Sequence, residues 1–216
     1  MLKYFKTVNK LAEAETVEKK SRFIATVKPV SSEDEVLSFI AKIKKKYRDA
    51  THNVFAYQIG ERNEIQRQSD DGEPSGTAGL PVLDVLRGED LKNTVIVVTR
   101  YFGGTLLGTG GLTRAYGKSA KEGVIAAGII EKILYKYIYI TTDYKSSGKI
   151  QYEILKKENI IYNTEYTDSI KFTVLCKFDN TCDFIRHITD ISSGTAVIEE
   201  GKTSYGKWIN GELLMD

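Results

Sequence analysis

An α+β fold in two domains is what this sequence predicts, and three observations carry the prediction. Residues 131–216 alternate strand and helix patterns in the order β-α-β-β-α-β, the ferredoxin-like arrangement, in about the length that motif needs. The run "NTVIVVTRYF" is almost unbroken in apolar residues, as a central strand buried on both faces would be. Around it, in residues 1–130, segments of helical period start and stop on capping and glycine signals.

The first domain reads in order. "SRFIATVKPV" is a strand. Ser32 and Glu35 form a capping box before a helix that places Val36, Ile40, Ile43 and Tyr47 on one face. "NVFAYQIG" and "EIQRQSD" are strands paired around the "GERN" turn. A helix follows over 78–86, with Pro81 tolerated in its first turn. The central strand comes next. A helix over 112–127 then carries Leu112, Tyr116, Ser119, Gly123 and Ala126 along one stripe, and Gly128 suits its C-terminal cap.

In the second domain, "KILYKYIYITTDY" alternates Ile133, Tyr135, Tyr137 and Tyr139 against Leu134, Ile138 and Ile140, a strand rich in β-formers. "SSGKIQYEILKKEN" places Ile150, Ile154 and Leu155 at helical spacing. "IIYNTEYTD" and "SIKFTVLCKF" form a hairpin turning at Asp168 and Ser169. "DNTCDFIRHITDIS" opens with Asp179 and Asn180 as caps and repeats Phe184, Ile188 and Ile191, a short helix. "GTAVIEEGKTSY" is the closing strand. No Pro- or Ser-rich linker separates the halves, so close packing is expected.

Composition narrows the function. The 216 residues carry a formal net charge of +2, too near balance to argue for nucleic acid by itself. No stretch has the roughly 18 apolar residues of a membrane span, and no signal-peptide pattern opens the chain. Cys176 and Cys182 imply no disulfide framework, so a reduced, cytoplasmic setting is the default expectation. With only His52 and His187 beside them, and no C-x-x-C or H-x-x-x-H spacing, a zinc site is rejected; no metal or cofactor is called for. Residues 1–130 hold 20 Lys and Arg against 16 Asp and Glu, and residues 131–216 hold 11 against 13. A polyanion-facing surface therefore belongs on the first domain. Its densest basic run, "KIKKKYR", is either the solvated back of an amphipathic helix or an RNA-contacting face using Lys44, Lys45, Lys46 and Arg48.

Two runs concentrate the unusual residues. "SDDGEPSGTAGLP" mixes carboxylates, hydroxyls and turn formers. Its acids are either ligands for a hard cation such as Mg²⁺ or caps for the turn and the following helix. "RYFGGTLLGTGGLTRAYGKSA" passes from strand to helix through glycines, the setting of an anion site at a helix start. It is neither a P-loop, since Leu112 stands where the first glycine belongs, nor a dinucleotide fingerprint, since Thr113 stands where the last small residue belongs. Ser75 or Thr77 as a nucleophile requires a base, and no G-x-S-x-G elbow is present. No catalytic residue is assigned. The candidate partner or anion surface comprises Asp70, Asp71, Gly72, Glu73, Ser75, Gly76 and Thr77 from the first run. From the second it takes Arg100, Tyr101, Gly103, Gly104, Gly108, Gly110, Gly111 and Arg114. The two runs are expected to meet in space.

The same runs, with "KKSRFIA" and "ATHNVFAY" upstream, resemble the IMPACT/YigZ family over about residues 17–130, and the second half is similar to the small C-terminal domain of its bacterial members. The resemblance implies a ribosomal-protein-like β/α first domain similar to the fourth domain of elongation factor G. For the second it implies a likeness to the ferredoxin-type domain near that factor's C-terminus. Eukaryotic members regulate translation initiation by competing for a ribosome-associated activator of a stress kinase. They do so with a different N-terminal partner-binding domain. Only about sixteen residues precede the resemblance here, so that domain is expected to be missing. What remains implied is a link to translation or RNA, with no established active site to carry over. The leading expectation is a non-enzymatic regulator that binds RNA, the ribosome or a translation protein, without DNA specificity or a membrane. The alternatives are a phosphate-ester or nucleotide enzyme using both loops, and a protein adaptor. An acidic loop converging on the glycines around a concave pocket favours the enzyme; a flat basic surface favours the binder.

Overall fold

A computed structural model describes residues 1–216, a mixed α/β chain with two sheets and five α-helices. It divides into two compact units, one made of Met1 and Phe5–Glu131 and the other of Leu2–Tyr4 and Lys132–Asp216. No helix is long and apolar enough to cross a membrane.

The first unit contains most of β1 (Tyr4–Val8), then β2 (Ala12–Glu18), β3 (Ser21–Pro29), α1 (Glu33–Lys46), β4 (His52–Ile59), β5 (Ile65–Ser69), α2 (Gly79–Gly88), β6 (Thr94–Tyr101) and α3 (Thr109–Ala127). Its sheet runs β2-β3-β6-β4-β5, antiparallel throughout. β6 lies at the centre and is covered on both faces, which explains its unbroken apolar run. Val95 and Val97 pack with Val36, Ile40 and Ile43 of α1. Ile96 and Val98 face the other way, into a core built with Val82 and Leu86 of α2 and Tyr116, Ala120 and Val124 of α3. Gly123 lets α3 lie close on β3, since a Cβ there would stand 2.8 Å from both Ala25 Cβ and Val27 Cγ2.

Local signals explain most element ends. Ser32 caps α1 by accepting the Glu35 amide, while the Glu35 carboxylate accepts from the Ser31 amide, one residue earlier than a capping box requires. α3 ends at Gly128 with φ +71°. It begins at Thr109, before the expected Leu112, so Gly110 and Gly111 belong to its first turn rather than to the preceding loop.

The second unit contains most of β7 (Ile129–Thr142), then α4 (Tyr144–Lys156), β8 (Ile160–Tyr166), β9 (Ile170–Lys177), a 3₁₀ turn (Phe178–Asn180), α5 (Thr181–Ile191), β10 (Val197–Ile209) and β11 (Glu212–Met215). Its sheet order is β11-β10-β7-β9-β8. One face is filled by Ile138, Ile140, Phe172 and Val174 against Ile150, Ile154, Phe184 and Ile188 of the helices.

Two expectations are corrected here. Asp179 and Asn180 do not cap α5; they form the 3₁₀ turn that leads into it, and Asn180 makes no side-chain cap bond. Leu155 is exposed, because it lies off the buried Ile150–Ile154 stripe of α4.

Candidate functional site

The first run leaves β5 at Ser69 and turns through Asp71, Gly72 and Gly76, all at positive φ, before entering α2. Helix α2 follows Ala78, an N-cap residue with no side chain able to cap it. Asp70 supplies the cap from upstream. Its Oδ1 accepts the amides of Ala78 (3.0 Å) and Gly79 (2.8 Å), and its Oδ2 accepts that of Gly76 (2.9 Å). Burial raises the Asp70 pKa, but the three amides of Gly76, Gly79 and Ala78 together outweigh it and leave the carboxyl below its ordinary value.

The other two acids turn elsewhere. Asp71 takes Lys44 Nζ at 2.6 Å and the Asn53 amide at 2.7 Å. Glu73 is buried and accepts Arg100 Nη1 at 2.6 Å and the Tyr116 hydroxyl at 2.7 Å. The three carboxylates therefore diverge onto separate partners. Burial first, then the hydrogen bond to Glu73 and the Glu73 charge, push the Tyr116 phenol far above its ordinary pKa.

Arg100, at the end of β6, is also buried. Its guanidinium lies 5.5 Å from the ring centroids of both Phe23 and Phe102, Nη2 reaches Ser21 Oγ at 3.4 Å, and Nε has no acceptor. His52 donates from Nδ1 to the Asp71 carbonyl at 2.8 Å, and its Nε2, an acceptor in the neutral ring, lies 3.8 Å from Glu73 Oε1.

The second run leaves β6 and meets the hairpin between β2 and β3. Gly103 is obligatory at the crossing: a Cβ there would stand 2.1 Å from the Lys20 carbonyl carbon and 2.4 Å from the Ser21 nitrogen. The amides of Thr109, Gly110 and Gly111, at the uncapped start of α3, have no acceptor within the helix.

Together the runs enclose a cavity of about 420 Å³. Glu73, Arg100 and His52 form its polar floor, Pro74, Phe102, Leu106, Leu107 and Leu112 its apolar walls, and Gly108 and Thr109 bring the start of α3 to its edge. Leu107 also walls a second groove, of about 240 Å³, with Glu18, Lys19, Gly111, Arg114 and Lys118. Lys19, Arg114 and Lys118 are exposed and not ion-paired.

The structure thus brings Glu73, Arg100, Gly108, Gly111 and Arg114 of the predicted residues to one face. Asp70, Asp71 and Thr77 serve the turn, Thr77 Oγ1 donating to the Pro74 carbonyl. Ser75 is exposed, and Tyr101 donates to Asp49. The α1 run divides: Lys44 is paired with Asp71 and Lys46 with Glu13, leaving Lys45 and Arg48 exposed. Sequence reasoning missed Tyr116 as the partner of Glu73, Phe102 and Leu106 as walls, and the cations Lys19, Lys20 and Lys118. Bulky apolar Phe102, Leu106 and Leu107 within a glycine run were the available signal for the walls.

Comparison with known proteins finds relatives over most of the chain. The family model described as Impact N-terminal domain matches residues 19–124, and a domain of unknown function, DUF1949, matches residues 140–195. The IMPACT family member YvyE of Bacillus subtilis (strain 168) is 44% identical over 205 residues, 95% of this chain and 94% of that one. The IMPACT family member YigZ of Escherichia coli (strain K12) is 30% identical over 179 residues, 82% of this chain and 88% of its own. Protein IMPACT of Rattus norvegicus is 37% identical over 100 residues, 44% of this chain but 31% of that protein. A solved crystal structure of a hypothetical protein superposes with a TM-score of 0.59 at 26% identity, covering 92% of this chain and 97% of that one.

Proposed function

The chain belongs to the IMPACT family, and from that premise we propose that it is a translation-linked, non-enzymatic module that binds RNA on the face where its two glycine-rich runs meet. One observation carries the choice of RNA. The cations of α1 are partly consumed by Asp71 and Glu13, whereas Lys19, Arg114 and Lys118 gather unpaired in one groove beside the start of α3, with Lys20 at the adjoining hairpin tip. Unpaired cations next to free helix-start amides suit a phosphate backbone. The β-α-β-β-α-β order of the second unit, and the elongation-factor likeness that family resemblance implies for both units, support the link to translation.

Co-sedimentation with ribosomes, and filter binding to single-stranded RNA, over a salt series test the reading. If all four cations reach phosphates, log K falls against log salt with a slope of roughly −3, and Arg114→Ala with Lys118→Ala brings it to roughly −1.5. A slope near zero, or no effect of the two substitutions, overturns the proposal.

A second reading, an enzyme acting on a phosphate ester or nucleotide, is favoured by the concave cavity on which Glu73 and Gly108 converge and by His52, whose Nδ1 is fixed by the Asp71 carbonyl and whose Nε2 can accept a proton in the neutral ring. The divergence of Asp70, Asp71 and Glu73 onto amides, Lys44 and Arg100 weighs against its metal-assisted form. Nucleotide or phosphate-ester turnover that disappears in His52→Ala would put this reading first.

A further inference from the structure

We propose that the 420 Å³ cavity receives one unstacked base of a single-stranded RNA, while the flanking phosphates lie on the ridge formed by Leu107 and the start of α3. This rests on the RNA reading above and extends it from backbone contact to a base-sized pocket. The volume lies within the range of about 300–1,000 Å³ typical of small-ligand clefts.

Three features of the cavity fit a base. Phe102 is half-exposed (46%) at the wall and offers a ring face for stacking. The floor holds both kinds of hydrogen-bonding group that a base edge needs. Arg100 lines the floor with guanidinium N–H donors, and His52, whose Nδ1 is held by the Asp71 carbonyl, presents Nε2 as an acceptor when the ring is neutral. Finally, Glu73 is neutralised by Arg100, so the floor does not repel an approaching polyanion.

The flank fits a phosphate. Leu107 is common to the cavity and the cationic groove, so a chain with its base in the first has its backbone beside Lys19, Arg114 and Lys118 in the second. An apolar side chain of a protein partner would fill the same walls but would have no use for those cations, and charge complementarity therefore selects RNA. Duplex RNA holds its bases stacked and paired, so the site discriminates by strandedness.

The hairpin tip adds an independent observation. Lys19 and Lys20 form the two-residue turn between β2 and β3 at φ 45° and 70°. Such turns favour Asn-Gly, because side chains other than Gly and Asn are strained there. Two lysines held in strained backbone beside a cavity are the pattern of a functional placement.

The test measures binding of the full chain to a single-stranded oligoribonucleotide and to a duplex of the same length. The variants are Phe102→Ala and Leu106→Ala, both at exposed positions, and Arg114→Ala with Lys118→Ala; melting curves check that each is folded. The wild type is expected to prefer the single strand by about tenfold or more. Phe102→Ala is expected to lose roughly tenfold in single-strand affinity with its salt slope unchanged, and Leu106→Ala to lose less in the same direction. The cation pair is expected to weaken both RNAs. Equal binding of duplex and single strand, or an unchanged Phe102→Ala, refutes the base pocket while leaving the backbone surface standing. Absence of binding to either RNA at low salt removes both readings.

Discussion

Asp70 offers the most exacting check on the site, because its two oxygens do separable work. Asp70→Ala leaves three amides without an acceptor. Those of Ala78 and Gly79 belong to buried residues, while Gly76 is partly open to water. An orphaned buried donor costs about 1–3 kcal/mol; taking the lower half for two amides and little for the third gives roughly 3 kcal/mol. Asp70→Asn can keep Oδ1 on Ala78 and Gly79, but it turns a second N–H donor toward the Gly76 amide and removes the charge. The expected loss is about 1 kcal/mol. At about 2–4 °C per kcal/mol for a chain of this size, the melting temperature falls by about 6–12 °C for Ala and 2–4 °C for Asn. Urea titration followed by circular dichroism measures the same gap isothermally. The pH dependence has a definite sign. The folded pKa of Asp70 is depressed, so its stabilisation is present above the unfolded value of about 3.9 and is lost as pH falls through the folded value. The Ala variant should therefore approach the wild type in acid. Equal losses for Asn and Ala would show that the charge alone matters and refute the two-oxygen account. Tight, stoichiometric Mg²⁺ binding that vanishes in an Asp70→Asn, Asp71→Asn pair at unchanged melting temperature would overturn it entirely.

Three further outcomes follow from the packing. Glu73→Ala strands the buried Arg100 guanidinium and is expected to cost about 3–5 kcal/mol in urea titration, whereas Tyr116→Phe removes one bond to a carboxylate and costs about 1.5–2 kcal/mol. Gly123→Ala presses a methyl group onto Ala25 and Val27 and is expected to destabilise by about 1–2 kcal/mol, although alanine favours an isolated helix. Lys19→Asn with Lys20→Gly relieves the strained turn and is expected to raise stability by about 1 kcal/mol while weakening RNA binding, a dissociation that calorimetry and filter binding detect together.

The sequence was most legible where burial or capping acts locally. β6 declared itself because both of its faces are covered, and α1 because Ser32 and its apolar stripe lie within four turns. β2 escaped notice because it is an edge strand whose Ala and Glu residues stay half-exposed, and β11 is a four-residue hairpin return. The glycines hid the true start of α3, since propensity opposes glycine in a helix and only the tertiary fold overrides it. The candidate site was visible as two odd runs, but not as a cavity. Its floor depends on Tyr116 meeting Glu73 across 43 residues and Arg100 meeting Ser21 across 79, and no local pattern encodes such meetings.

Those long separations bear on how the protein comes into being during its own synthesis. The floor residues and the partners that brace them come from the start of β3, the start of β4, the acidic turn, the tail of β6 and the middle of α3, and Tyr116 is the last of them to be made. A nascent chain that has not yet released Tyr116 holds Glu73 without its hydroxyl partner and lacks the wall supplied by Leu112. The cavity is therefore complete only once α3 lies on the sheet. A fragment that stops short of that helix carries nine of the eleven residues that line the cavity, but leaves them open on the side that Thr109 and Leu112 close.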